Sequence, residues 1–96
     1  MANTAQLVEM ICKVIETNPV PIPIALMNHG VEEAAVIIGG VVERCAREGI
    51  VLRRVSIDPE LAAELGLTEG KALEHGARPT IHCEVGLGRQ VCFERG

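Results

Sequence analysis

The hydrophobic pattern changes period several times along the chain, and each change marks an element. At about 100° per residue, Thr4–Thr17 places Leu7, Val8, Met10, Ile11, Val14 and Ile15 on one side and Gln6, Glu9, Lys13 and Glu16 on the other, which predicts an amphipathic helix. Asn18-Pro19 ends it, because the residue before a proline is pushed out of the helical region. Val20–Met27 then alternates, with Ile22, Ile24 and Leu26 on one face. Pro21 and Pro23 cannot donate to a ladder, so this stretch belongs at a sheet edge or in a packed polyproline-like segment.

Val31–Glu48 has β-branched runs and a Gly-Gly pair that suit a hairpin, but the helical wheel decides otherwise. On a helix Glu32, Glu33, Glu43, Arg44, Arg47 and Glu48 fall within one arc of roughly 160°. Val31, Ala34, Ala35, Ile38, Val41, Val42, Cys45 and Ala46 take the opposite arc. Acids in the first turn, arginines in the last and Gly49 beyond complement the helix dipole and supply a stop.

Ile50–Ile57 reads as a strand interior to the sheet, apolar on both sides at its start. Asp58 then caps a short helix that has Pro59 at its first position and runs to about Leu65, with Gly66 as the stop. Residues 66–79 mix turn and polar signals. Thr80–Arg95 reads as a β-hairpin. A three-residue Gly86-Leu87-Gly88 loop puts Ile81, Cys83, Val85, Val91 and Phe93 on one face and Thr80, His82, Glu84, Gln90, Cys92 and Glu94 on the other. The expected fold is a single α+β domain over residues 1–96, a two-layer sandwich with the helices on the hairpin's apolar face. Its order is helix, extended edge strand, long helix, strand, short helix, C-terminal β-hairpin.

Composition narrows the function more than it names one. A chain of 96 residues buries roughly 60–65% of its unfolded surface, enough for one core with little stability to spare. Phe93 is the only aromatic residue, which disfavours functions that stack a base or sugar on flat rings. The net charge is −4 and the basic residues are scattered, so nucleic acid is not expected as a partner. The first residues lack a basic start, a cleavage site and an uninterrupted apolar run, which predicts neither leader nor membrane span and a cytoplasmic location. The four cysteines then read as reduced thiols, with no CxxC pair for zinc or redox chemistry.

Three groups of residues merit attention as sites. Asn28, His29 and Gly30 precede the long helix, whose free N–H groups attract anions, and Asp58 lies at the matching end of the next strand if the two run parallel. They form a candidate ligand pocket, set against ordinary loop and cap roles for the same residues. His82, Glu84 and Cys92 share a hairpin face, with His75 as a possible fourth metal ligand, but no spacing matches a zinc arrangement and no metal or other cofactor is assigned. Cys12 and Cys45 each lie on a helix's apolar side as small hydrophobes.

The third group is Val36, Ile37 and Gly40, which intrude on the charged arc of the long helix. Glycine lets another backbone approach, so a symmetric helix-to-helix contact between two copies is one reading, rimmed by Glu33, Glu43, Arg44 and Arg47. Burial of the helix on both sides within one subunit is the other.

Arg54–Leu73, RVSIDPELAAELGLTEGKAL, resembles the strand–helix–turn segment of AbrB-type swapped-hairpin DNA-binding domains over about a fifth of the chain. The glycine-arginine lead-in and basic surface of that family are missing. Ile15–Leu26 is similar to a short run in lyases related to dihydrodipicolinate synthase. Both likenesses are local, and no family is assigned. The expected function is a homo-oligomeric interaction or regulatory module, self-associating through Val36, Ile37, Gly40 and Arg44, without a catalytic constellation. The alternative is a small-ligand-binding protein or enzyme fragment using Asn28, His29 and Asp58.

Overall fold

The computed structural model describes residues 3–26, 29–73 and 79–96. The first helix, α1, spans Thr4–Thr17, and Asn3 opens it with a reciprocal capping box: its side chain accepts from Gln6 N at 2.8 Å while Gln6 Oε1 accepts from Asn3 N at 3.2 Å. Strand β1 is Ile22–Ala25, helix α2 is Val31–Arg47 and strand β2 is Leu52–Ile57. Helix α3, Pro59–Glu64, is followed by strands β3, Ile81–Cys83, and β4, Gln90–Arg95. The architecture is α+β in the expected order, with the proline-bearing β1 at a sheet edge and β2 inside.

The last two strands depart from expectation. The sheet order is β1-β4-β2-β3, so β3 and β4 are not a hairpin: β2 lies between them. β4 runs antiparallel to both β1 and β2, whereas β3 pairs parallel to β2 after the α3 crossover. The physical reason is the ladder of β2. Its buried Val55, Ser56 and Ile57 need partners on both sides, and a β3–β4 hairpin would leave one side of β2 open. Residues 84–89 step across the end of β2, with Glu84 N bonded to Ile57 O at 3.0 Å and Asp58 N to Gln90 O at 3.2 Å. Gly86 and Gly88 take positive φ in that connection. Val85, expected on the apolar face, is exposed in it.

Successive rungs of the sheet alternate in character. Ile22, Phe93, Val55 and Ile81 form one apolar rung and Ile24, Val91, Ile57 and Cys83 another, both belonging to the core that α1, α2 and α3 cover. Between them runs Pro23, Cys92, Ser56 and His82, on the opposite face. α1 and α2 pack against each other at Gly40, where a Cβ would come within 3.0 Å of Val8 Cγ2.

Candidate functional site

α2 determines which surface is open. Its buried residues Ala34, Ile37, Ile38, Val41, Val42 and Cys45 span about 140° of the helical wheel, facing α1 and the sheet. Ile37 is fully buried within this chain and so has no surface to offer a second one, while Gly40 packs against Val8 of α1 on one side. Of the three intruding positions Val36 is open, at 58% exposure, and Gly40 is half-buried. The helix is buried on two sides within one subunit because α1 lies alongside the sheet, a placement the α2 pattern cannot report.

The opposite side of α2 forms a continuous outer stripe of Glu32, Val36, Gly39, Glu43 and Arg47, spaced three and four residues apart, with Ala35 beside it. Small and apolar residues hold its middle and charges its ends. Two depressions flank it. One, of about 260 Å³, lies between α2 and residues 65–73 and is lined by Ala35, Ile38, Gly39, Leu65, Leu67 and Leu73, with Lys71 the charged group on its wall. The other, of about 420 Å³, lies toward α1 and includes Val8, Val36, Gly40, Glu43 and Arg44. Arg47 Nη2 donates to Glu43 Oε1 at 2.8 Å and Arg44 Nε to Glu48 Oε2 at 2.5 Å, so the arginines lie extended along the helix.

The turns after β1 and β2 share one edge of the sheet, since both strands run antiparallel to the β4 between them. Leu26 N bonds to Arg89 O at 3.0 Å on one side of β4 and Asp58 N to Gln90 O on the other. His29 and Asp58 thus lie at the same edge, and each has a local partner. His29 Nδ1 is 2.7 Å from Glu33 Oε2, and the Asp58 carboxylate accepts from Leu61 N at 3.3 Å as the cap of α3. Gly30 caps α2 without a side chain, and Asn28 lies outside the described residues.

The open sheet face gathers more chemistry than the sequence pattern indicates. Arg54 donates through Nη2 to Glu84 Oε1 at 2.6 Å and through Nε to Ser56 Oγ at 3.1 Å, and Ser56 Oγ donates to the same Glu84 oxygen at 3.3 Å. His82 lies between Thr80 Oγ1, 3.3 Å from its Nε2, and Glu69 Oε1, 3.6 Å from its Nδ1. Glu69 also accepts from the Cys83 backbone N–H, which holds its carboxyl below the usual range. The alternation of Arg54 and Ser56 with Val55 and Ile57 was the available signal for the first triad; Glu69 is brought in only by the tertiary fold.

His82 and Cys92 are not neighbours. β2 separates them, so they are two strand spacings apart, about 9–10 Å, too far to share a metal ion. Among the described residues no group of three His, Cys, Asp or Glu side chains is placed to hold one, and His75 lies outside them. Burial, then the Glu84 and Glu94 carboxylates, push the Cys92 thiol up, so it is a poor nucleophile. Protein-family models, curated proteins and solved structures give no match to this chain. Among the described residues no helix is long and apolar enough to cross a membrane.

Proposed function

We propose that the chain is a small cytoplasmic interaction module that self-associates by packing the outer stripe of α2 against that of a second copy. One observation supports this reading: the stripe is self-complementary. α2 has Glu32 in its first turn and Arg47 in its last, with Val36, Gly39 and Glu43 between them. Laid antiparallel about a two-fold axis passing between Gly39 and Gly40, each Glu32 faces the Arg47 of the other copy and each Val36 faces a Glu43 stem, while the glycines let the helices approach at the axis. A two-fold contact requires one patch to satisfy itself.

A contact confined to one stripe of a single 17-residue helix belongs to the weak, concentration-dependent class. Sedimentation equilibrium at rising concentration is the test. A monomer–dimer equilibrium in the micromolar range is expected, and Val36→Asp should abolish it without unfolding an exposed position. A strict monomer at high micromolar concentration removes the proposal.

A further inference from the structure

The chain leaving α3 is tied down on both sides before it reaches β3. Leu67 N donates to Ala62 O at 2.9 Å, Lys71 N to Thr68 O at 3.0 Å and Gly70 N to Ile81 O at 2.8 Å, while Ile81 N returns a bond to Lys71 O at 3.0 Å. Held this way, Leu65, Leu67 and Leu73 line one cavity with Ile38 of α2, and all three leucines stay only partly buried at the margin of the core. The α2 wall adds little bulk, because it is made by Ala35 and Gly39, one helical turn apart. A space of about 260 Å³ is left between the two walls, its described side chains apolar except for Lys71.

We infer that this cavity binds an aliphatic monocarboxylate of about six to eight carbons, with its chain on the leucines and its carboxylate on the Lys71 ammonium. Size, polarity and charge each select that class. An apolar cavity of about 150 Å³ takes benzene, so 260 Å³ takes on the order of ten non-hydrogen atoms, the count of an eight-carbon acid. The backbone N–H groups of Leu65, Gly66, Leu67, Gly70 and Lys71 already donate to carbonyls of the chain, so they are not free to hold a sugar or another polar metabolite. Among the described residues Lys71 is the charged group of the wall and no carboxylate pairs with it, which favours an anionic head over a neutral or cationic one. Its stem extends the apolar wall while its ammonium stays in water, so the bound carboxylate keeps its hydration at the rim and only the hydrocarbon is desolvated. The cavity forms within one chain, so its occupancy does not depend on the self-association above.

The test is a titration of the isotope-labelled full chain with sodium octanoate, followed by amide NMR and calorimetry. Saturable shifts centred on residues 35–39 and 65–73 are expected, with a dissociation constant on the order of 100 μM, the scale for roughly ten atoms of a small ligand. Lys71→Gln, at an exposed position, should weaken octanoate about fivefold and leave octanol unchanged. Octylammonium should bind the unaltered chain more weakly than octanoate does, and added salt should narrow the gap between octanoate and octanol. Ala35→Leu fills the cavity from an exposed position and should abolish octanoate binding while the circular dichroism spectrum stays that of the unaltered chain. Absence of saturation below about 10 mM overturns the inference. So do shifts that cluster on another surface, such as Met10 and Val14 of α1, or undiminished octanoate affinity in Lys71→Gln, which would deny the carboxylate its partner.

Discussion

Gly40 packs directly against Val8: a Cβ at Gly40 would lie 3.0 Å from Val8 Cγ2 and 3.4 Å from Cγ1. That contact brings α1 onto α2, buries Ile37, and brings Cys12 to the Val41–Cys45 turn.

Gly40→Ala sets two effects against each other. Alanine gains up to about 1 kcal/mol of helix propensity over glycine. Forcing the short, stiff Val8 side chain aside costs about 1–3 kcal/mol. The expected net loss is roughly 1 kcal/mol in urea denaturation, and Val8→Ala in the same chain should recover part of it, with a coupling above about 0.5 kcal/mol. Additive single effects would mean that the two residues do not meet.

The proposed two-fold contact predicts a charge-reversal cycle. Glu32→Arg alone puts arginine opposite arginine, and Arg47→Glu alone puts glutamate opposite glutamate. Each should weaken self-association about tenfold, since two symmetry-related rim pairs change sign together. The double reversal should restore it, and added salt should flatten all the differences. Failure of the double variant to recover dimerisation in sedimentation would exclude this register.

Acid stability should carry a contribution from Glu69. The Cys83 N–H and, less strongly, His82 lower its folded pKa below the ordinary carboxylate value. A carboxyl depressed on folding stabilises the protein above its unfolded pKa and loses that stabilisation as pH falls through the lowered folded value. Glu69→Gln should therefore flatten the fall in denaturation midpoint below about pH 4.3, the ordinary glutamate value. An acid limb identical to wild type would show that the loop carboxylate does not hold β3.

Asp58 caps a helix of only 6 residues and is 8% exposed. Asp58→Ala leaves Leu61 N without its acceptor and should cost about 1–2 kcal/mol by thermal denaturation, whereas Asp58→Asn should keep most of the cap. Equal losses in the two variants would point to a role for the charge rather than for the cap.

Local features of the chain were readable in advance because their causes are local. The α1 boundaries follow from the apolar stripe and Pro19, the α3 start from Asp58-Pro59, and the edge position of β1 from prolines that cannot donate. The same alternation put His82, Glu84 and Cys92 on the face opposite Phe93 even though the hairpin assumed for them does not form. Alternation fixes the face of a strand but carries no information on which strand lies beside it.

The sequence by itself determined the helices, the strand faces and the charged ends of α2. The tertiary structure alone decided that β2 comes between β3 and β4, that Ile37 is buried and Gly40 packs on Val8 of α1, and that Cys12 lies against the Val41 turn of α2. The division has a physical basis. Periodicity and capping act within a few residues, whereas strand neighbours and helix contacts are selected by satisfying buried backbone groups and filling core volume across the whole chain.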